Sequence, residues 1–489
     1  MKVMVLGIDG LDSEMLSKFE DNLPNFKKLK EDSPNVKLSS VFPPDSPTAW
    51  ASIYTGKNPA EHGIVLFKDS FDSQHNIDEI LDDIPGTTFW DVAGKLGKKV
   101  CIILPRMAYP PWPVNGAMIS RTTESEDIKD IKNFDIKSYP PEFFDEYDFE
   151  GLKPPSSPLK LGDIIEPTKE LILNEIRLAS KICKEINWDL YFYYSHSLDK
   201  IQHLFWMHHD KNDPYYKEDN PYEDVVFEFH KFYDKHVIGK FLKLIDSKTA
   251  FIVLSDHGHG MRPTKVININ EILKKKGLLK SKIEKNNRIS KDYLMNLLRK
   301  KIIKTMNSHR LAEKFVLELV KIFPQGKKIY VKSIPIDENS TLACLSDLAR
   351  GTKEYSYAGI RINNSLVNES SYKVVIDEII EILQSIKDPF TSKNVIEWIH
   401  KREEIYNGKY IEKYPDIIFK LKDDWGAGWD INAPVFAKSE THTIQPGSHR
   451  AETAVFLIKN HGNMNIKKNM TLMDIPKTIL QLLTQGRIS

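Results

Sequence analysis

Charge of one sign is missing from this sequence: 69 Lys and Arg stand against 68 Asp and Glu, a formal net charge of +1 over 489 residues. So balanced a chain sets up no field that would gather nucleic acid, and none is expected as a partner. Cysteine is scarce. Cys101, Cys183 and Cys344 are scattered, odd in number and form no CxxC pair, which argues against a disulfide framework or a zinc knuckle and for reduced thiols. No apolar run approaches the ~20 residues of a membrane-spanning helix. The opening run MKVMVLGIDG is interrupted by Gly7 and ends at Asp9, so it reads as a buried strand rather than a secretory signal. A cytoplasmic location is the expectation. No internal repeat is found.

What is present is the composition of a folded protein, 41% hydrophobic and 10% aromatic, in a chain too long for one ordinary core. Short apolar runs bounded by turn signals lie at 3–8, 99–105, 189–195, 250–255 and 453–458. Helical periodicity falls between them, at 168–186 and 222–246. Strand alternating with helix predicts a doubly wound, mostly parallel α/β sheet with helices on both faces. Residues 274–333 are rich in Lys and Arg and read as amphipathic helices of a helical or mixed cap. Residues 124–160 read as a long surface connection or lid. The expected division is a catalytic core over 1–262 and 441–489 with a cap over 263–440, of which about 400–440 is left open as a return to the core.

In open α/β sheets ligands bind beyond the carboxyl ends of the strands. Asp9 follows the first run. His196, Asp199 and His203 follow the third. Asp256, His257 and His259 follow the fourth in "DHGHG", and His449 in "GSHR" precedes the last. Asp and neutral His are common ligands of Zn²⁺ and Mn²⁺. Asp199 and His203 are four apart and share a face if a helix begins there. His259, two residues after His257, is expected to point elsewhere unless its loop bends back. His208 and His209 lie about a turn beyond His203, and His62 reads as a turn or supporting residue.

The segment PPDSPTAWASIYTG, residues 43–56, carries four hydroxyls: Ser46, Thr48, Ser52 and Thr55. Pro47 suits a first helical turn, which would make Ser46 the N-cap and set the positive helix end beside it. A bare structural cap and a nucleophile are both compatible with that.

Five segments in order, "VLGIDGLD", "DSPTAWASIYTGKNPAEHGI", "SLDKIQHLFW", "VLSDHGHGM" and "GSHR", resemble the alkaline phosphatase superfamily, in particular its type I phosphodiesterase/nucleotide pyrophosphatase branch. The resemblance covers roughly 1–70, 165–270 and 400–489. It implies an alkaline phosphatase-like core holding two divalent metal ions, Zn²⁺ first and Mn²⁺ as the other candidate. One ion would take Asp199, His203 and His449. The other would take Asp9, Asp256 and His257, with the nucleophile oxygen joining. Relatives carry the nucleophile nine residues before the Thr of a trailing TG, and counting back from Thr55 gives Ser46, with Thr48 as the fallback.

A hydroxyl bound to a cation loses its proton more readily, so the implied chemistry is in-line phosphoester hydrolysis through a phospho-seryl or nucleotidyl-seryl intermediate. The substrate would be a small phosphorylated molecule, with a nucleotide as one candidate. A phosphodiesterase or nucleotide pyrophosphatase is the leading reading. A phosphomonoesterase or phosphotransferase, and a non-catalytic metal-binding member, are the alternatives. The family's Asn three residues after the nucleophile is replaced here by Ala49, which weakens the transfer of diester specificity. No Arg close to Ser46 in sequence is available for the phosphate; Arg262 and Lys57 are the candidates. Oligomeric state is open.

Overall fold

The run KVMVLGI carries no charge beyond its first residue, and it forms β1 (Lys2–Ile8), buried from Val3 onward. The structure is a computed structural model that describes residues 1–67, 71, 84–122, 134–143, 147, 149–155, 160–282, 336–349, 353–422 and 424–484. After β1, the elements that position the site are α1 (Ser46–Thr55), β2 (Val100–Ile103), β3 (Gly116–Arg121), β4 (Ile136–Tyr139), α2 (Ile165–Glu185), β5 (Leu190–Ser195), α3 (Ser197–His209), β6 (Thr249–Leu254), β7 (Gly258–Met261), β8 (Gly447–Arg450), β9 (Phe456–Lys459) and α4 (Asp474–Thr484).

Seven strands form one sheet in the order β9-β6-β1-β5-β2-β3-β4. The five inner strands run parallel. The two edge strands, β9 and β4, run antiparallel to their neighbours. This is the mostly parallel α/β sheet the apolar runs predict. Both faces are covered. Met4, Leu6 and Ile8 pack in one core with Ile172, Ile176 and Ile182 of α2. Val3 and Val5 face the other way, into a core with Trp50 and Ile53 of α1 and Ile475 and Ile479 of α4.

Local details differ from the sequence reading. Asp45, with extended backbone, is the N-cap of α1, because its carbonyl accepts the first helical bond from the Ala49 N–H; Ser46 is the first helical residue. The helix expected over 222–246 is divided into Val225–Phe232, a π turn over Tyr233–Ile238 and Gly239–Leu242. At that turn the Asp234 carboxylate accepts from the Asn25 side chain and the Phe26 N–H. Part of 124–160 is not a surface connection, since β4 edges the main sheet; four residues are too few for a period to show.

Between β7 and β8 the chain builds a second, antiparallel sheet from Ala343–Ser346, Tyr357–Ile362, Ile417–Leu421 and Ile396–Lys401, in that spatial order. Helix Glu369–Gln384 packs on it through Val375, Ile376 and Ile379, giving this region its own buried cluster. The Lys-rich helices expected over 274–333 lie, from 283 on, outside the described residues. No helix among the described residues is long and apolar enough to cross a membrane.

Candidate active site

The sheet register decides what meets at its carboxyl edge. Ile8 pairs with Ser195 and Gly7 with Leu254, so β1, β5 and β6 end level with one another. Asp9, then His196 and Asp199, then Asp256 and His257 emerge side by side. Asp199 lies in the first turn of α3 and His203 one turn on, on the same face, with His203 Nε2 3.4 Å from Asp199 Oδ2. Gly10 has φ +67, and a Cβ there would sit 2.8 Å from Asp199 Oδ1. Glycine is thus what lets the loop after β1 close on α3. β7 and β8 pair antiparallel with His259 opposite His449, which carries the late GSHR segment into the cluster.

Two linked groups result. His257 Nε2 lies 3.6 Å from Asp9 Oδ1 and 3.2 Å from Asp256 Oδ2. Ser46 Oγ lies 3.1 Å from His257 Nε2 and 3.4 Å from Asp9 Oδ1. In the second group His449 Nε2 is 3.6 Å from Asp199 Oδ1 and 2.9 Å from His203 Nε2. Ser46, the three Asp and the three His expected from the sequence therefore converge, all but His203 and His449 buried.

The imidazole tautomers follow from their partners. A backbone carbonyl only accepts, so each ring nitrogen facing one must carry the hydrogen. Nδ1 of His203 donates to Gly447 O, Nδ1 of His449 to Pro44 O and Nδ1 of His257 to Gly258 O. All three rings thus turn a bare Nε2 into the cluster, the arrangement typical of metal-ligating histidines. Burial, then neighbouring imidazoles and Arg262, holds His203 and His259 well below the usual imidazole range. His449 is lowered by burial and by His257, His203 and His259. Burial and the Asp9 charge push Asp199 up to about 6 and Asp256 well above the ordinary carboxylate range. Burial works against Asp9 too, yet His196, Arg106 and His257 outweigh it and hold its carboxyl well below the usual range.

This donor set fits divalent cations. Asp199 Oδ1 and Asp256 Oδ2 are buried with no hydrogen-bond partner among the described residues, and two bare Nε2 atoms, of His203 and His449, face each other. Unpartnered buried acceptors of this kind are costly, and a cation between them satisfies them together. Asp9, Asp256 and His257 are spaced to share one ion.

The other sequence candidates stand apart from the cluster. Thr48 turns from the cluster to bond Asp45 Oδ2. Arg262 neither reaches the cluster as a phosphate ligand nor lies at the surface: it is fully buried, and its guanidinium donates to the carbonyls of Gln445, Glu354 and Gly447. Lys57 is exposed beyond the C-terminus of α1, the end opposite Ser46. His62 supports α1, 2.9 Å from Ser52 Oγ. His208 packs on Tyr222 and His209 approaches Lys18, both away from the cluster.

Sequence reasoning missed Arg106. It follows β2 and lies 3.8 Å from Asp9 Oδ2, 3.2 Å from Tyr194 Oη and 3.3 Å from His196 Nδ1. Leu104 and Met107 beside it have φ +55 and +54, a left-handed backbone unfavourable for such side chains. Tyr194 and Trp50 were missed too; both donate to Asp9 Oδ2. The strand-end rule applied to β2 flags Arg106, whereas nothing in the sequence flags the two aromatics.

A family model described as type I phosphodiesterase/nucleotide pyrophosphatase matches residues 3–444. Phosphonoacetate hydrolase from Sinorhizobium meliloti 1021, solved with phosphonoformate, superposes with a TM-score of 0.54 at 13% identity, over 99% of this chain and 96% of that one. Murine ectonucleotide pyrophosphatase/phosphodiesterase 5, solved as an inactive variant with AMP, gives 0.50 at 15% identity over 99% and 95%. At such identity these two share the fold. No curated protein matches the chain significantly.

Proposed function

This chain belongs to the type I phosphodiesterase/nucleotide pyrophosphatase family, and we propose that it hydrolyses phosphoesters with Ser46 as the nucleophile and two divalent cations in the Asp/His cluster. Asp199, His203 and His449 would hold one cation; Asp9, Asp256, His257 and Ser46 Oγ would hold the other. Zn²⁺ is the first candidate and Mn²⁺ the second. The observation that carries the reading is the place of Ser46: its Oγ sits at the first turn of α1, 3.1 Å from His257 Nε2 and 3.4 Å from Asp9 Oδ1.

When bound, the cations lower the proton affinity of the serine hydroxyl and neutralise charge on the attacking and leaving oxygens. Ser46 Oγ forms its bond to phosphorus as the leaving oxygen departs in line. The phosphoryl group then sits at the N-terminus of α1, where backbone N–H groups and the helix dipole favour an anion. Water attacks the phospho-seryl or nucleotidyl-seryl ester, the Oγ–P bond breaks, and Ser46 regains its proton.

A diester or nucleotide pyrophosphate is the leading substrate class, in keeping with the family; the AMP held by the murine protein makes a nucleotide the first candidate. One observation favours a second reading. Arg106 brings a guanidinium beside Asp9, and a phosphomonoester offers such a donor one more charged oxygen than a diester does. A paired assay with bis-p-nitrophenyl phosphate and p-nitrophenyl phosphate, with Zn²⁺ or Mn²⁺ added, separates the two. Faster turnover of the diester is expected. Preference for the monoester would move the protein to the second reading, and no turnover of either with metal bound would favour a non-catalytic member or a very selective cap.

A further inference from the structure

We infer that His259 is an additional metal ligand, which gives one of the two proposed ions four protein groups: Asp199, His203, His259 and His449. The inference rests on the metal reading above and extends it to a residue that reading leaves out.

His259 is 1% exposed, and neither of its ring nitrogens has a hydrogen-bond partner among the described residues. A buried imidazole must keep one N–H and one lone pair, so leaving both unmatched is costly unless something else engages them. Its Nδ1 points at Asp199 Oδ1, 3.2 Å away, and that oxygen is itself without a partner. One atom each from Asp199, His203 and His259 lies close enough to share an ion.

The ring is held in place by a specific frame. The His259 N–H donates to Asp12 Oδ2, fixing the backbone of β7. The ring packs edge-on against His203 at 4.6 Å and lies tilted against Trp206 at 5.4 Å between centroids. Across the ribbon, a Cβ at Gly447 would stand 2.4 Å from His259 Nε2 and 2.8 Å from His203 Cα. The absence of a side chain there is what allows this imidazole to fit between β8 and α3.

Three nitrogens and one carboxylate suit a borderline cation such as Zn²⁺ better than Mn²⁺, which prefers oxygen. The neighbouring set, Asp9, Asp256, His257 and Ser46, is richer in oxygen. The two positions are therefore unlike. The His259 position is selective for Zn²⁺ and, with four protein ligands, has fewer open places for exchange than a three-ligand catalytic site.

The test uses the full-length protein loaded with ¹¹³Cd²⁺ and carrying ¹⁵N-labelled histidine. The expected spectrum has one cadmium coupled to three imidazole nitrogens and the other to one. It also shows one histidine of the three bound through Nδ1 and two through Nε2. A pattern of two and one, with both ions bound, would overturn the role of His259 while leaving the metal reading standing. Failure to take up any divalent ion would overturn both. Competition against a chelator gives an independent reading: His259→Phe should weaken Zn²⁺ at one position by at least about 10-fold and leave the other unchanged, since even residues behind metal ligands carry effects of that size. Unchanged Zn²⁺ affinity at both positions in a folded variant would overturn the inference. Should that variant fail to fold, the wild-type cadmium spectrum decides.

Discussion

Replacing Arg106 by Ala separates two roles that its position allows, holding Asp9 and holding a phosphoryl oxygen. Its Nη1 is 3.8 Å from Asp9 Oδ2, with Arg106 15% exposed and Asp9 wholly buried. Two unit charges at that spacing and an effective dielectric near 20 interact by about 4 kcal/mol before desolvation is counted. A donor aimed at charge that develops in a transition state is worth about 3–4 kcal/mol, or ~10²–10³ in kcat. If Arg106 touches the phosphoryl group, Arg106→Ala should lower kcat for p-nitrophenyl phosphate by about 10²–10³-fold, because the monoester carries more charge. For bis-p-nitrophenyl phosphate the loss should be about 10-fold, and both ions should remain bound. Arg106→Lys keeps the charge without the planar fork and should recover only part of the rate. The measurement is steady-state kinetics on both esters with metal content determined on the same samples. Equal losses on both esters accompanied by loss of metal would show that Arg106 serves Asp9 alone. Unchanged rates on both would refute its role altogether.

Four further substitutions follow from the geometry. Gly10→Ala forces a side chain into φ +67, 2.8 Å from Asp199 Oδ1; it should cost about 1–2 kcal/mol from backbone strain alone and weaken Zn²⁺ binding, read by thermal unfolding with and without Zn²⁺. His62 is held to about 3, by burial first and by Lys57 second, while its unfolded value stays near 6.5. The unfolded chain therefore takes up a proton first, so this residue removes stability as pH falls from 6.5 towards 3, by ~1.4 kcal/mol per pH unit, and contributes nothing to the slope above 6.5. His62→Gln should flatten that acid limb in urea titrations, and an unchanged slope would contradict the assignment. Arg262→Ala leaves three carbonyls without their donor and should destabilise by about 3 kcal/mol or more, whereas Lys57→Ala should leave both stability and kcat within error.

The parts of the fold that were legible in the sequence are those whose signal is local. β1, β5 and β6 are buried on both faces, so they appear as near-continuous apolar runs, and the residues that follow them had to lie at one edge of one sheet. Asp199 and His203 were legible because a four-residue step fixes a shared helix face. What stayed hidden depends on register or on packing across the sheet. β7 and β8, "GHGM" and "GSHR", are four residues each and rich in glycine, so neither reads as a strand, and the direction of His259 follows only from its pairing with His449. Arg106 enters the site because β2 neighbours β5, an adjacency that sequence distance conceals. Arg262 looked like a free cation near "DHGHGM", but its carbonyl partners at Glu354, Gln445 and Gly447 come from far along the chain. The N-cap moved by one residue because the first helical bond, from the Ala49 N–H, ends on Asp45.

The central claim is that Ser46 carries the phosphoryl group. The direct measurement is to quench the metal-loaded enzyme in acid during turnover of each p-nitrophenyl ester and map the adduct by peptide mass spectrometry. A phosphoryl or ester-phosphoryl group on Ser46, absent from a Ser46→Ala variant that still binds two ions and no longer turns over, is the predicted result. An adduct on Thr48, or a Ser46→Ala enzyme that keeps full turnover, would contradict it.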